Sequence, residues 1–457
     1  MDAMKFLGHM LMKLRPGVDT RAPAHIDVLE GLRRPESRID GNGAIDRALH
    51  ACASAVRARR CLHASAHSVD PGWRHLDYSR LERECGLDRI LEVEVAEPER
   101  LDEAVRRVRE TGCVEWAMAE PLACLPLLAR APEEPEAGAM ERAREMVGAS
   151  RALALEAGAR DVPVAVIDTG VAIDHREFAG RLWTGYDTVD LGIGRVAPGI
   201  TLVGDSVGRD FCARDETGHG THVAGIIGAR GISMPQGIGG RSPLIPIRAL
   251  ATARSDDGTL FGIGALADID AAIKVAVDRG ARVINMSFGT AAAELDDISP
   301  APHADVVEYA SRNGCICVAA MGNTGDEERY FPAALPGVIA VGSVDETGRR
   351  SRFSTRGAHI ALSAPGESVL SAGIRGYALS TGTSHAAPFV SGAIALLLSR
   401  AHRHGIEPDT RLVRELLCLS ARGGEPNTDT GWGVLDIPAA LGRLDAIAAH
   451  HSQEGRP

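Results

Sequence analysis

The stretch Leu379 to Leu398, LSTGTSHAAPFVSGAIALLL, constrains the fold more than any other. Its second half, ending in the apolar run Ala393 to Leu398, reads as a buried helix around which the rest of the chain must be arranged. Its approach is made of small residues (Ser380, Thr381, Gly382, Thr383) that let another backbone come close. Ser384 stands where the two halves meet, exposed but rigidly held at a helix start. The positive end of the helix dipole favours negative charge developing there, yet a serine is a poor nucleophile without a base.

Two further segments supply one. Val162 to Gly170 reads VPVAVIDTG, an apolar run of strand length that ends in the carboxylate of Asp168 and turns sharply at Thr169 and Gly170. Gly218 to Gly228 reads GHGTHVAGIIG and sets His219 among glycines at the start of a second small-residue helix. Singly, an aspartate in a turn, a histidine among glycines and a serine at a helix start are ordinary structural residues. They follow one another in the order Asp168, His219, Ser384.

The chain resembles the subtilisin-like serine proteases in four motifs: Asp168-Thr169-Gly170, His219-Gly220-Thr221-His222, Gly382-Thr383-Ser384-His385-Ala386-Ala387-Pro388, and Val318-Ala319-Ala320-Met321-Gly322-Asn323. The resemblance implies a serine endopeptidase with Asp168, His219 and Ser384 as its triad and Asn323 as the oxyanion-hole side chain. It also implies that Ser287-Phe288-Gly289 and the Gly258 to Gly264 loop hold an extended peptide, and that Ala319, Ala320 and Gly322 line the pocket for the residue before the cut. Such small walls leave room for a large apolar side chain. His222 is expected to support the site structurally. His385 departs from the methionine common at that position. Asp174, His175, Asp210 and Asp215 are expected to be solvated or structural, and Asp187, Asp190, Asp205, Asp256 and Asp257, which form no run of alternating calcium ligands, to be solvated loop carboxylates. No cofactor and no required metal are expected.

From Pro163 onward strand and helix patterns alternate. Strands are expected at Pro163 to Ile167, Leu244 to Leu250, Arg282 to Ser287, Cys315 to Ala320, Val338 to Val344 and His359 to Ala364. Helices are expected at Thr221 to Ala229, Ala265 to Arg279, Ala304 to Asn313, Ser384 to His402 and Thr410 to Ser420. That is the pattern of an α/β fold, a parallel sheet with helices on both faces and its site at the strand ends.

The start of the chain reads differently. Residues 9–15 (HMLMKLR), 89–95 (RILEVEV) and 114–118 (VEWAM) alternate as strands, and Leu101, Ala104, Val105 and Val108 make one helical face. This strand, insertion, strand, helix, strand order resembles the small α+β propeptide domain of subtilisin-like zymogens, which implies an intramolecular inhibitor and a latent full-length chain. Within the insertion, Ala44 to Arg60 reads as helical. The expected organisation is residues 1–125 as the propeptide-like domain, 126–150 as linker and processing region, 151–450 as the catalytic domain and 451–457 as a tail. RAPEEPEAGA at 130–139 is too polar to bury, any self-cleavage is expected between about Ala123 and Met146, and Met140 to Ala157 reads as an amphipathic helical piece leading into the Asp168 strand.

Composition narrows partners and setting. With 50 basic against 61 acidic residues the net charge is −11, and no basic cluster fits nucleic acid. The first 17 residues carry Asp2, Lys5, Lys13 and Arg15, unlike a signal peptide, and no run is long and apolar enough to span a membrane. Nine scattered cysteines fit apolar filling in a reducing compartment, so a cytoplasmic location is expected. Two other classes were weighed: a catalytically silent binding protein on the same fold, disfavoured because all four chemical positions are filled, and an esterase-type hydrolase, disfavoured because Ser384 lacks a Gly-x-Ser-x-Gly elbow.

Overall fold

The structure, a computed structural model, describes residues 4–65, 74–126, 137–208, 210–295 and 299–454. Most of the stretch read as a linker, at 130–139, lies outside the described residues.

Alternation along the first strand sets the amino-terminal domain. β1 (Lys5–Leu14) turns Met10, Met12 and Leu14 into a core, and β2 (Val56–Arg60), β3 (Ile90–Val95) and β4 (Val114–Pro126) complete an antiparallel sheet in the order β2-β3-β1-β4. Between β1 and β3 lie three short helices, α1 (His25–Leu29), α2 (Ala44–His50) and α3 (Arg80–Glu84). α4 (Leu101–Glu110) buries the expected face of Leu101, Ala104, Val105 and Val108 in the same core. The reading of Ala44 to Arg60 as helix is corrected: the helix stops at His50 and Val56–Arg60 is β2. Val56 and Ala58 are buried while Arg57 is exposed, a period of two, and the open edge of β3 supplies hydrogen-bond partners from Val56↔Val95 to Arg60↔Leu91.

β4 belongs to both halves of the molecule. Its first part pairs with β1, and its second part pairs antiparallel with β11 (Leu260–Ala265), from Leu122↔Ala265 to Pro126↔Phe261. The sheet continues through β10 (Ala251–Ser255), β8 (Ile200–Val203) and β7 (Arg195–Ala197), so eight strands run across the domain boundary.

After α5 (Ala137–Met146) and α6 (Ala149–Leu155), which Gly148 separates at φ 68°, the second domain forms a parallel sheet in the order β17-β16-β14-β12-β5-β9-β6. Its strands are β5 (Val164–Asp168), β6 (Tyr186–Asp187), β9 (Leu244–Arg248), β12 (Val283–Met286), β14 (Ile316–Ala320), β16 (Val338–Val344) and β17 (Ile360–Pro365). Both faces are covered, which is why these strands read as continuous apolar runs. Val164 and Val166 of β5 belong to the core on one face, which α7 (His219–Gly228), α10 (Thr383–Arg403), α11 (Thr410–Ser420) and α12 (Ile437–Glu454) complete. Ala165 and Ile167 belong to the core on the other face, with α8 (Leu266–Asp278) and α9 (Ala304–Arg312). The α10 helix is buried continuously from Thr383 to Ser399. Two small ribbons, β13 (Thr290–Ala291) with β15 (Tyr330–Phe331) and β18 (Val369–Ala372) with β19 (Tyr377–Ser380), flank the strand ends. Among the described residues no helix is long and apolar enough to cross a membrane.

The two domains meet through charges as well as the shared sheet. Lys274 of α8 is fully buried and pairs with Glu82 of α3 at 2.9 Å and with Asp278 at 2.8 Å, while His63 reaches Asp278 at 2.6 Å. Glu120 of β4 accepts the Ala267 N–H at 2.8 Å, capping α8, whose own N-cap Ala265 has no side-chain acceptor to offer. Arg59 of β2 bridges Glu92 of β3 and Asp190 of the second domain. Asp190 is therefore an interface residue, and Asp187 is buried against Arg248 at 2.5 Å; neither is the solvated loop carboxylate expected.

Candidate active site

Each expected triad residue sits at a strand end or helix start on one edge of the parallel sheet. Asp168 ends β5 and is fully buried, with the Thr169 N–H donating to its Oδ1 at 2.8 Å. His219 begins α7, and its Nδ1 lies 2.7 Å from the same Oδ1. The close approach that makes this bond depends on Gly220: a Cβ there would lie 2.1 Å from the Gly170 carbonyl oxygen. Burial alone would lower the His219 pKa, but the charge and hydrogen bond of Asp168, with Asp215 behind them, raise it above the ordinary 6.5.

Asp215 takes the structural of the two roles expected for it. It is buried, and its carboxylate accepts from the backbone N–H groups of Thr217, Gly218 and Thr221 and from the hydroxyls of Thr169 and Thr221. Thr169 in turn accepts the Gly220 N–H at 2.9 Å. One carboxylate thus caps α7 and ties it to the residue after Asp168, fixing Asp168 and His219 relative to each other. Its place four residues before His219, at a helix start, was the available signal.

Ser384 is the second residue of α10, after the N-cap Gly382 and Thr383. Pro388 lacks an N–H, which leaves the Ser384 carbonyl, four residues earlier, without its helical partner. The Ser287 hydroxyl fills that vacancy at 2.9 Å, and the Ser384 hydroxyl donates back to the Ser287 carbonyl oxygen at 2.9 Å. Asn285 donates to Ser287 Oγ and accepts from Ser391 Oγ, holding the pair to β12. Among the described residues no hydrogen bond joins Ser384 to His219.

Asn323 follows β14 and is exposed. Its Oδ1 accepts from both the N–H and the hydroxyl of Thr383 at 2.9 Å. A backbone N–H can only donate, so the amide orientation is fixed and Nδ2 is the free donor. The His385 N–H is taken by the Gly382 carbonyl and the Thr383 N–H by Asn323, so among the described residues the Ser384 N–H is the one of the first three amides of α10 without an acceptor. Among the described residues, Asn323 Nδ2 and the Ser384 N–H are therefore uncommitted donors at the start of α10.

The two other histidines are kept neutral. His222 Nε2 lies 3.0 Å from the carbonyl oxygens of Val369 and Ala378, so it carries the proton there, and burial followed by the neighbouring His219 pushes its pKa down to about 3. His385 stands with its ring 4.5 Å from that of His222 and 5.4 Å from that of His219, its Nε2 held by Ser380 at 2.6 Å. Burial, then the two neighbouring rings, hold its pKa well below the ordinary value. It packs the back of the site as a neutral wedge.

The remaining sequence candidates divide. Ser287, Phe288 and Gly289 continue β12, Ala319 and Ala320 end β14 beside it and Gly322 follows; Ser287 hydrogen-bonds Ser384, and the Gly322 N–H donates to the Thr383 hydroxyl at 3.2 Å. Gly258 does not: it sits in the turn between β10 and β11 at φ 88°, and the segment read as a loop is largely the strand β11, already paired with β4.

Residues 159–433 match the subtilase family, peptidase family S8. The chain belongs to the subtilase family. It is 38% identical over 252 residues to the thermophilic serine proteinase of Bacillus sp. (strain AK1), covering 55% of each chain, so it spans about half the length of that relative. It is 32% identical to thermitase of Thermoactinomyces vulgaris over 52% of this chain and 75% of that one. In fold, this subtilase superposes on the epidermin leader peptide processing serine protease of Staphylococcus aureus with a TM-score of 0.61 at 22% identity, over 77% of this chain and 90% of that one.

Proposed function

We propose that this subtilase is a serine endopeptidase acting through Asp168, His219 and Ser384. The observation that carries the reading is the 2.7 Å bond between His219 Nδ1 and Asp168 at the start of α7, beside a serine on the first turn of α10. With Nδ1–H held by Asp168, Nε2 is the free base. Turning away from the Ser287 carbonyl, the Ser384 hydroxyl gives its proton to Nε2 as Oγ bonds to the peptide carbonyl carbon. The developing oxyanion is received by Asn323 Nδ2 and the Ser384 N–H. His219 then passes the proton to the leaving amine as the C–N bond breaks, and water hydrolyses the acyl ester by the same steps in reverse order.

The amino-terminal domain acts in this reading as an intramolecular inhibitor. β4 occupies the free edge of β11, the edge along which an extended substrate would pair, and its carboxyl end at Pro126 lies there too. The substrate is a protein or peptide.

Intact mass of the wild type and of Ser384→Ala, each incubated with and without a fluorophosphonate, tests the reading. Wild type alone should gain the probe or lose its amino-terminal segment. Equal modification or processing of the Ser384→Ala chain would assign the chemistry elsewhere.

A further inference from the structure

The walls beside Ser384 do not enclose an empty slot. β12 and β14 are neighbours in parallel register, with Met286 opposite Ala319, so Ser287-Phe288-Gly289 and Ala320-Met321-Gly322 leave the sheet side by side. If the peptidase reading above holds, a carbonyl carbon on Ser384 with its oxygen toward Asn323 places the preceding side chain between these two walls. That space is taken by Tyr330. An ideal Cβ built on Gly289 would lie 2.4 Å from Tyr330 Cε1 and 2.7 Å from Cδ1, and one built on Gly322 would lie 2.9 Å from Cδ2 and Cγ. Opposite edges of one ring therefore press on opposite walls, closer than any other residue type would allow at either glycine.

The ring is held there by its own strand. Tyr330 and Phe331 form β15, paired antiparallel with β13 at Ala291↔Tyr330 and Thr290↔Phe331, and β13 is the direct continuation of the Ser287-Phe288-Gly289 wall. The Phe331 carbonyl also abuts Gly289, at 2.4 Å from the same ideal Cβ. Tyr330 is thus built into the wall.

We propose that Tyr330 is a specificity-determining residue that fills the pocket for the residue before the cut, so that this subtilase accepts glycine, alanine or serine there and rejects aromatic and long aliphatic side chains. Small walls alone implied a roomy pocket, and the ring reverses that expectation. An aromatic side chain has to displace Tyr330 from two close backbone contacts, whereas a methyl group does not. A single methylene misfit in an apolar pocket already discriminates by about 10- to 200-fold, so exclusion of a whole ring is expected to reach at least about 100-fold.

Two peptidyl phosphonates that differ only in carrying alanine or phenylalanine next to the phosphorus provide the test. Their rates of covalent addition to the full chain are followed by intact mass in wild type, Tyr330→Gly and Tyr330→Phe. The alanine probe should be preferred by at least about 100-fold in wild type and in Tyr330→Phe. In Tyr330→Gly the preference should fall away or invert through a faster reaction of the phenylalanine probe. Wild type reacting as fast with phenylalanine as with alanine overturns the proposal without needing any variant to fold. An unchanged ratio in a folded Tyr330→Gly overturns it as well. Failure of both probes on all three proteins, both intact and after limited proteolysis has released the amino-terminal segment that covers β11, removes the peptidase reading itself, and the proposal with it.

Discussion

The active-site edge and the domain interface are held together by opposite means. Around Ser384 the contacts are mostly neutral hydrogen bonds: Thr383 orients Asn323, Ser287 and Ser384 exchange hydrogen bonds, and Asp215 caps the helix that begins four residues later. At the interface the contacts are buried charges from distant parts of the chain, with Glu82 on Lys274, His63 on Asp278 and Glu120 on α8. Neutral hydrogen bonds fix geometry at little desolvation cost, which suits groups that must be placed to a fraction of an ångström. Buried ion pairs add less net stability than their count implies, but breaking one is expensive, which suits a docking that has to be specific.

Four outcomes would break or sharpen this contrast. The largest is expected at Asp168→Asn, which keeps the shape of the site but favours the wrong imidazole tautomer; turnover of a peptide substrate should fall about 10⁴-fold with the melting temperature little changed. Next, Glu82→Ala strips the amino-terminal domain's partner from the buried Lys274 and should cost about 3–5 kcal/mol in chemical denaturation, at the lower end because Asp278 stays paired. Replacing both, Glu82→Leu with Lys274→Met, should recover most of that loss. If Glu82→Ala loses under about 1 kcal/mol, charge is not what anchors the domains. Third, Asn323→Ala should lower kcat about 100- to 1000-fold with KM nearly constant, the range known for removal of one oxyanion donor in this family. A change confined to KM would make Asn323 a binding residue only. The smallest concerns pH and stability. A histidine whose pKa is raised in the folded state stabilises the fold fully below 6.5, and that contribution is lost as pH rises through the raised value. Wild type should therefore lose a modest increment of stability above pH 6.5 that Asp168→Asn does not.

The same contrast explains how much could be read in the chain beforehand. The α/β fold, the strand ends and the triad segments were legible because each motif is local: an apolar run ending in Asp168, glycines around His219, and small residues before Ser384. Asp215 stayed open between a solvated and a structural role because a lone aspartate gives no sign of whether helix amides surround it. The interface was not legible at all. Glu120 and Ala267 are 147 residues apart and His63 and Asp278 are 215 apart, and no periodicity links such pairs. The Ala44 to Arg60 error has a related cause, since the strand at Val56–Arg60 exists because β3 offers it an edge. Tyr330 escaped notice because the glycines that make room for its ring carry no mark of what enters the space.

The pH dependence of fluorophosphonate addition to Ser384, measured between about pH 5 and pH 9, tests the central claim most directly. If His219, raised by Asp168, is the base for Ser384, the rate should climb with the loss of one proton at a midpoint above 6.5, and the climb should vanish in Asp168→Asn. A rate that is flat in wild type, or the same in the two proteins, would contradict a linked Asp168, His219 and Ser384.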